Sequence, residues 1–199
     1  RTPCQIAGLK AFLQKEYKKL YTIDLICHGV YSYRLLQKEV DYWSCKFSRG
    51  KVSNFRFRSK EKYPWIYGGV INFDISNNKS NTHIEIHGSC SPLYRCYAYS
   101  GDGINYTLRE SCYSCQFRDT NRFGDITIGD AWGMSKKRSE LFQKKNLRKG
   151  ISLILCNTLK GKFLLDHIDS QVNLVELSKN EAFSQDALKS SNRMIPKER

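Results

Sequence analysis

The 199-residue sequence predicts a mixed fold of the α/β or α+β kind, a single domain with a mixed β-sheet and flanking helices. Three observations carry that expectation. Segments of helical periodicity alternate with β-rich runs along most of the chain. Hydrophobic residues make up 40% and aromatic residues 13%, enough for a sizeable core, and the length is that of about one ordinary domain.

Pro3 suits the first turn of a helix, where its missing N–H costs nothing, and Ile6, Leu9, Leu13 and Tyr17 recur at helical spacing, so a helix is expected over 3–18. The β-rich run "YTIDLICHG" follows and ends in glycine. Helical periodicity returns in "SYRLLQKEVDYWSCKF", with Ser32 as its N-cap. From Val52 the pattern is strict alternation, which places Phe55 and Phe57 on an apolar strand face and Arg56 and Arg58 on a cationic one. Further strands are expected over 67–75, 82–87, 125–129, 150–157 and 172–177, and helices over 92–99, 160–168 and 179–190. "SNNKSN" reads as a polar hairpin tip and "SGDGIN" as a surface loop.

Composition excludes several classes. The longest buried-looking run, "ISLILC", is far short of the roughly 18 apolar residues of a membrane span, and "RTPCQIAGLKAF" lacks the charged and apolar regions of a signal peptide. Eight cysteines in a chain with this much Ile, Leu, Phe and Tyr point to a reduced, cytoplasmic setting rather than a disulfide framework. The net charge of +14 is uneven: residues 1–60 hold 13 Lys/Arg against 4 Asp/Glu. Such an excess attracts nucleic acid, cofactor phosphates or an acidic protein alike.

The stretch "ESCYSCQF" sets Cys112 and Cys115 three positions apart, a spacing shared by redox disulfides, zinc sites and iron-sulfur clusters. A tetrathiolate site needs two more ligands. Cys4, at a helix start where unpaired N–H groups suit an anionic ligand, and Cys27, at a strand end, are the favoured additions. Cys45 and Cys156 read as small buried hydrophobes, and Cys90 and Cys96 lack a Cys-x-x-Cys partner.

Four separated motifs, "TPCQIAGLKAFL", "YTIDLICHGV", "SCYSCQF" and "GDITIGDAWG", resemble in their order the C-terminal domain of the coenzyme F-420 hydrogenase/dehydrogenase β-subunit family. The resemblance continues through "KGISLILCNTLKG" into "SSNRMIPKER". It implies an iron-sulfur flavoprotein oxidoreductase that passes electrons between a 4Fe-4S cluster, FAD and an acceptor. The motif cysteines fall on Cys4, Cys27, Cys112 and Cys115, and His28 and Gly29 are expected near the flavin. The acceptor is open, a reductase step in polysaccharide metabolism fitting as well as the deazaflavin coenzyme. The resemblance also implies a ferredoxin-like and flavin-binding segment before residue 1 and further residues after "PKER", so residues 1–199 read as a fragment. Tyr31, Gln116 and Ala131 depart from the family pattern, the first two standing where proline is usual and the third where an aromatic is.

Rival readings are fewer. His83, Glu85 and His87 share a strand face and read as solvated rather than metal-binding. A zinc-stabilised basic nucleic-acid-binding module is the main alternative, since four thiolates also suit zinc. A cysteine hydrolase with His28 as base lacks any glycine-rich oxyanion signal. The cluster Lys46, Arg49, Lys51, Arg56, Arg58, Lys60 and Lys62, opposed by Glu61, is expected to dock an acidic redox partner such as a ferredoxin.

Overall fold

The computed structural model describes residues 1–59, 69–77, 80–98, 106–132, 134, 138, 141 and 150–183. The chain divides into two compact units: the first is built from 1–28, 115–144 and 151–191, the second from 29–114, 145–150 and 192–199.

In the first unit, α1 (Pro3–Leu13) starts where the sequence predicts. Pro3 occupies the first turn, and the Gln5 side chain reaches back to accept from the Thr2 amide at 3.1 Å. It stops five residues early, because Gln14 turns left-handed at φ 54° and its amide closes on the Lys10 carbonyl. The short β1 (Ile23–Leu25) runs parallel to β5 (Ile126–Asp130), and β5 pairs antiparallel with β6 (Ser152–Cys156), in the order β1-β5-β6. This is the expected mixed sheet. Ala131, Met134, Leu153 and Ala182 form its buried cluster, with Ile26 and Leu155 packed on it. Thr158 caps α5 (Leu159–Ile168) by accepting from Gly161, which lies so close to the Asp125 carbonyl that a Cβ there would stand 2.2 Å from that oxygen. Residues 172–177, where a strand is expected, follow a short 3-10 turn as irregular backbone, with Val172, Leu174 and Val175 exposed and unpaired in any sheet among the described residues. Their alternation is genuine, but a strand needs a neighbour to take its backbone hydrogen bonds. A one-turn helix, α6 (Lys179–Ala182), closes the described chain through a Ser178–Glu181 capping box; the expected helix beyond 183 lies outside the described residues.

In the second unit, α2 (Tyr33–Lys46) is N-capped by Ser32 as expected. The strands β2 (Lys51–Ser59), β3 (Val70–Asn77) and β4 (Ser80–His87) make a second, wholly antiparallel sheet with β3 in the centre. The alternation in β2 behaves as read: Phe55 and Phe57 pack on the core of Trp43, Ile71, Phe73, Ile75 and Tyr94, while Arg56 and Arg58 are exposed. Phe55 stacks on Phe73 at 5.4 Å between ring centroids. The start of the strand expected at 67, the hairpin tip at 78–79 and the loop 100–105 lie outside the described residues. Helix α3 (Pro92–Ala98) is tied to α2 by a buried carboxylate. Glu39 accepts from the Trp43 indole at 2.6 Å and from the Leu93 amide at 3.0 Å, where α3 has unpaired N–H groups.

Candidate functional site

The cysteines come first. All eight are thiols, none in a disulfide. Cys45 and Cys156, expected to be buried, are both exposed. Cys45 sits on the outer side of α2, whose buried residues are Glu39 and Trp43, and Cys156 is the last residue of the edge strand β6.

Of the four motif cysteines, Cys4 lies exposed in the first turn of α1, its sulfur 3.2 Å from the Thr2 hydroxyl. Cys27 is half-buried two residues beyond β1. Cys112 is in the single-turn helix α4 (Glu110–Tyr113) and points at the Val30 carbonyl, 4.0 Å away. Cys115 is half-buried just past that turn. Cys4, Cys27 and Cys115 belong to the first unit and Cys112 to the second. Among the described residues no group of three or more His, Cys, Asp or Glu side chains is gathered in a way that holds a metal ion. By chemistry alone, four cysteine sulfurs are donors of the kind that soft iron or zinc takes.

His28 is exposed in the first unit. Gly29 opens the second with φ 114°, a conformation that favours glycine, and its carbonyl accepts from the Tyr97 hydroxyl at 3.0 Å. Tyr31, in the position where the family pattern has proline, packs its ring against Phe57 and Tyr97, and burial raises its phenol pKa. Ala131 is buried in the first unit's core, and Gln116 is exposed.

The proposed cationic face is mixed in charge. Arg56 lies in register with Asn72 and Glu85, and its charge acts on Asp74. Asp74 takes hydrogen bonds from Asn54 at 2.6 Å and from His83 at 2.7 Å, and these, with the charges of His83 and Arg56, hold its carboxyl below the usual range. His83 is therefore engaged by Asp74 and His87 by Ser89, each through a side-chain hydrogen bond. Lys60, Glu61 and Lys62 lie outside the described residues.

Sequence reasoning missed two buried polar networks in the first unit. Asp24 and Thr127 are fully buried and bonded to Arg122. Asp125 is buried beside them in sequence and accepts from the Thr22 amide and hydroxyl and from the Thr158 hydroxyl. Burial alone would raise its carboxyl, but those bonds and the Lys160 charge hold it below the ordinary range. A cleft of about 610 Å³ adjoins it, lined among others by Lys10, Lys15, Tyr17 and Lys160. The Lys160 ammonium donates to the Tyr17 and Leu20 carbonyls, so its first use is to fasten the loop after α1. The available signal was a charged residue inside an apolar strand pattern, in "TIDLI" and again in "GDITIGD".

No described helix is long and apolar enough to cross a membrane. No curated protein and no solved structure matches the chain. Residues 1–181 match the family described as coenzyme F420 hydrogenase/dehydrogenase, C terminus of the beta subunit, and this span includes every motif cysteine and both buried networks. With that match over nine-tenths of its length, the chain belongs to the C-terminal family of these oxidoreductase beta subunits.

Proposed function

We propose that this chain is the electron-transfer part of an iron-sulfur flavoprotein, with Cys4, Cys27, Cys112 and Cys115 holding one 4Fe-4S cluster and His28 and Gly29 lying near FAD. The observation that carries the reading is the family match, which spans all four cysteines in one continuous segment. When bound, the cluster would supply one-electron steps and the flavin would couple them to two-electron chemistry. The chain's own contribution is to offer four soft anionic donors, and at Gly29 a backbone without Cβ that a cofactor can approach closely. An acidic ferredoxin or ferredoxin-like domain is the proposed electron partner, favoured by the net charge of +14 and by exposed Arg56 and Arg58, although Asp74 and Glu85 temper that face. The terminal acceptor is a small molecule.

Anaerobic reconstitution with iron and sulfide, followed by iron analysis and visible spectroscopy, tests the reading. About four irons per chain and a brown absorbance are expected, lost in Cys112→Ser and kept in Cys90→Ser and Cys96→Ser. A colourless protein that takes up one zinc instead would replace the reading with the zinc-stabilised one, and retention of the brown band in Cys112→Ser would overturn the ligand set.

A further inference from the structure

The Arg122 guanidinium is 2% exposed, and each of its five N–H groups has a partner. Nε donates to the Thr127 hydroxyl at 3.2 Å. One terminal nitrogen donates to the carbonyls of Phe117 and Asp119, at 3.3 and 3.2 Å. The other donates to Asp24 at 3.0 Å and to the Leu25 carbonyl at 2.7 Å. The same Asp24 oxygen also accepts from the Thr127 hydroxyl, and its other oxygen accepts from the Gly124 amide at 3.0 Å. Asn157 of the segment after β6 closes the ring, donating to Thr127 and to the Gly124 carbonyl, both at 2.9 Å.

The chain positions are informative. Leu25 lies two residues before Cys27, and Phe117 and Asp119 lie two and four residues after Cys115. One rigid, planar side chain therefore lashes the strand leading to one motif cysteine to the loop leaving another, and all of these residues lie in the first unit. A buried ion pair is a poor way to add stability, since desolvation offsets most of its attraction. It is a good way to set a separation, because a guanidinium with five fixed directions accepts only one arrangement of its acceptors. We infer that Arg122, seated on Asp24 and Thr127, is a positioning residue that holds the Cys27 and Cys115 thiols at the spacing of a shared site. The inference rests on the cluster reading above and adds a part to it: the ligand separation is set by the protein before any metal arrives.

The test is made on the metal-free, reduced 199-residue chain in which Cys4, Cys45, Cys90, Cys96, Cys112 and Cys156 are serine, leaving Cys27 and Cys115 as the remaining thiols. Dibromobimane becomes fluorescent when it bridges two neighbouring thiols, so its rate reports their juxtaposition. Arg122→Lys keeps the charge next to Asp24 but cannot serve five acceptors, and bridging should slow roughly tenfold. Leu153→Ala, which opens the same unit's apolar core without touching the network, should bridge at the parent rate while folded. Equal rates in the parent and in Arg122→Lys overturn the inference, as does equal slowing in Leu153→Ala. If Arg122→Lys does not fold, Thr127→Val takes its place, since it removes an Arg122 acceptor and an Asp24 donor at constant volume: slowed bridging is expected, and bridging at the parent rate overturns the inference. Bridging in the six-serine chain with no iron uptake by the wild-type chain after reconstitution removes the cluster reading and leaves the clamp standing; iron uptake by the wild-type chain with unchanged bridging in Arg122→Lys does the reverse.

Discussion

The two three-stranded sheets are built from opposite materials. The central strand of β2-β3-β4 buries Ile71, Phe73 and Ile75 against Trp43 and Tyr94, an apolar cluster in which any close-packed arrangement of similar volume is nearly as good. In β1-β5-β6 the residues with no exposure at all are Asp24 and Thr127, and Thr22 and Asp125, each one residue before a strand, are as buried as the apolar Ile126 and Leu153. Hydrophobic burial is non-directional and supplies cohesion. A satisfied polar network has one geometry and supplies placement, at the cost of desolvating its members. Two sheets of equal strand number thus serve different ends, and three of the four motif cysteines belong with the one that places.

The largest effect expected of this contrast is in the apolar sheet. Phe73→Ala removes a ring that contacts Trp43, Phe47 and Phe55, and should cost about 3–5 kcal/mol of unfolding free energy in chemical denaturation. Hydrogen exchange at Gly124 should stay protected under conditions where this variant still folds, and loss of that protection would show that the two materials are not separable.

A smaller effect sharpens the other side. Thr127→Val conserves volume, so an apolar site would scarcely register it. Here it deprives Asp24 of a donor and Arg122 and Asn157 of an acceptor, and about 1–3 kcal/mol should be lost. A measured change near zero would mean that the network is ornamental and that packing alone decides this sheet.

The smallest effect is a pH dependence. Asp125 has a folded-state pKa below its unfolded value, so its stabilising contribution is whole above the ordinary carboxylate pKa of about 3.9 and is lost as pH falls through the lower folded value. Melting temperatures from pH 6 down to 2 should therefore fall less steeply in Asp125→Asn than in the parent. Because Asp74 and Glu181 are also depressed, the latter to about 2, only the difference between the two curves is diagnostic, and parallel curves would remove Asp125 from the account.

What was legible in the sequence follows the same division. Alternation in β2 and the cap at Ser32 were readable because both are local: side chains two apart share a face, and a serine three residues before an amide can cap it. The motif cysteines were readable as a pattern across the chain. The premature end of α1 at Gln14 was not, because periodicity continues through Tyr17 while the backbone turns left-handed before it. Nor was the failure of 172–177 to pair, which depends on what else is present to receive a strand. The Arg122 network joins residues 97 and 98 positions apart, and no local rule links an arginine in "TNRFG" to an aspartate in "TIDLI". The exposure of Cys45 and Cys156 was missed for a simpler reason: cysteine's apolar average says nothing of which side of an element faces outward.

The irregularity of β2 has a consequence for how copies of this chain behave at high concentration. At nine residues β2 is the longest strand among the described residues and forms an edge of its sheet there, which makes it a template on which another chain could add in solution. Its pairing register shifts between Ser53 and Arg56 and again between Arg56 and Ser59, and Asn54 adopts φ 51°. These bulges bend the line of backbone donors and acceptors, and exposed Arg56 and Arg58 set like charges opposite any identical strand that approached. Straightening this edge or removing its arginines would invite self-association of folded molecules, a colloidal hazard that the strand's present shape discourages.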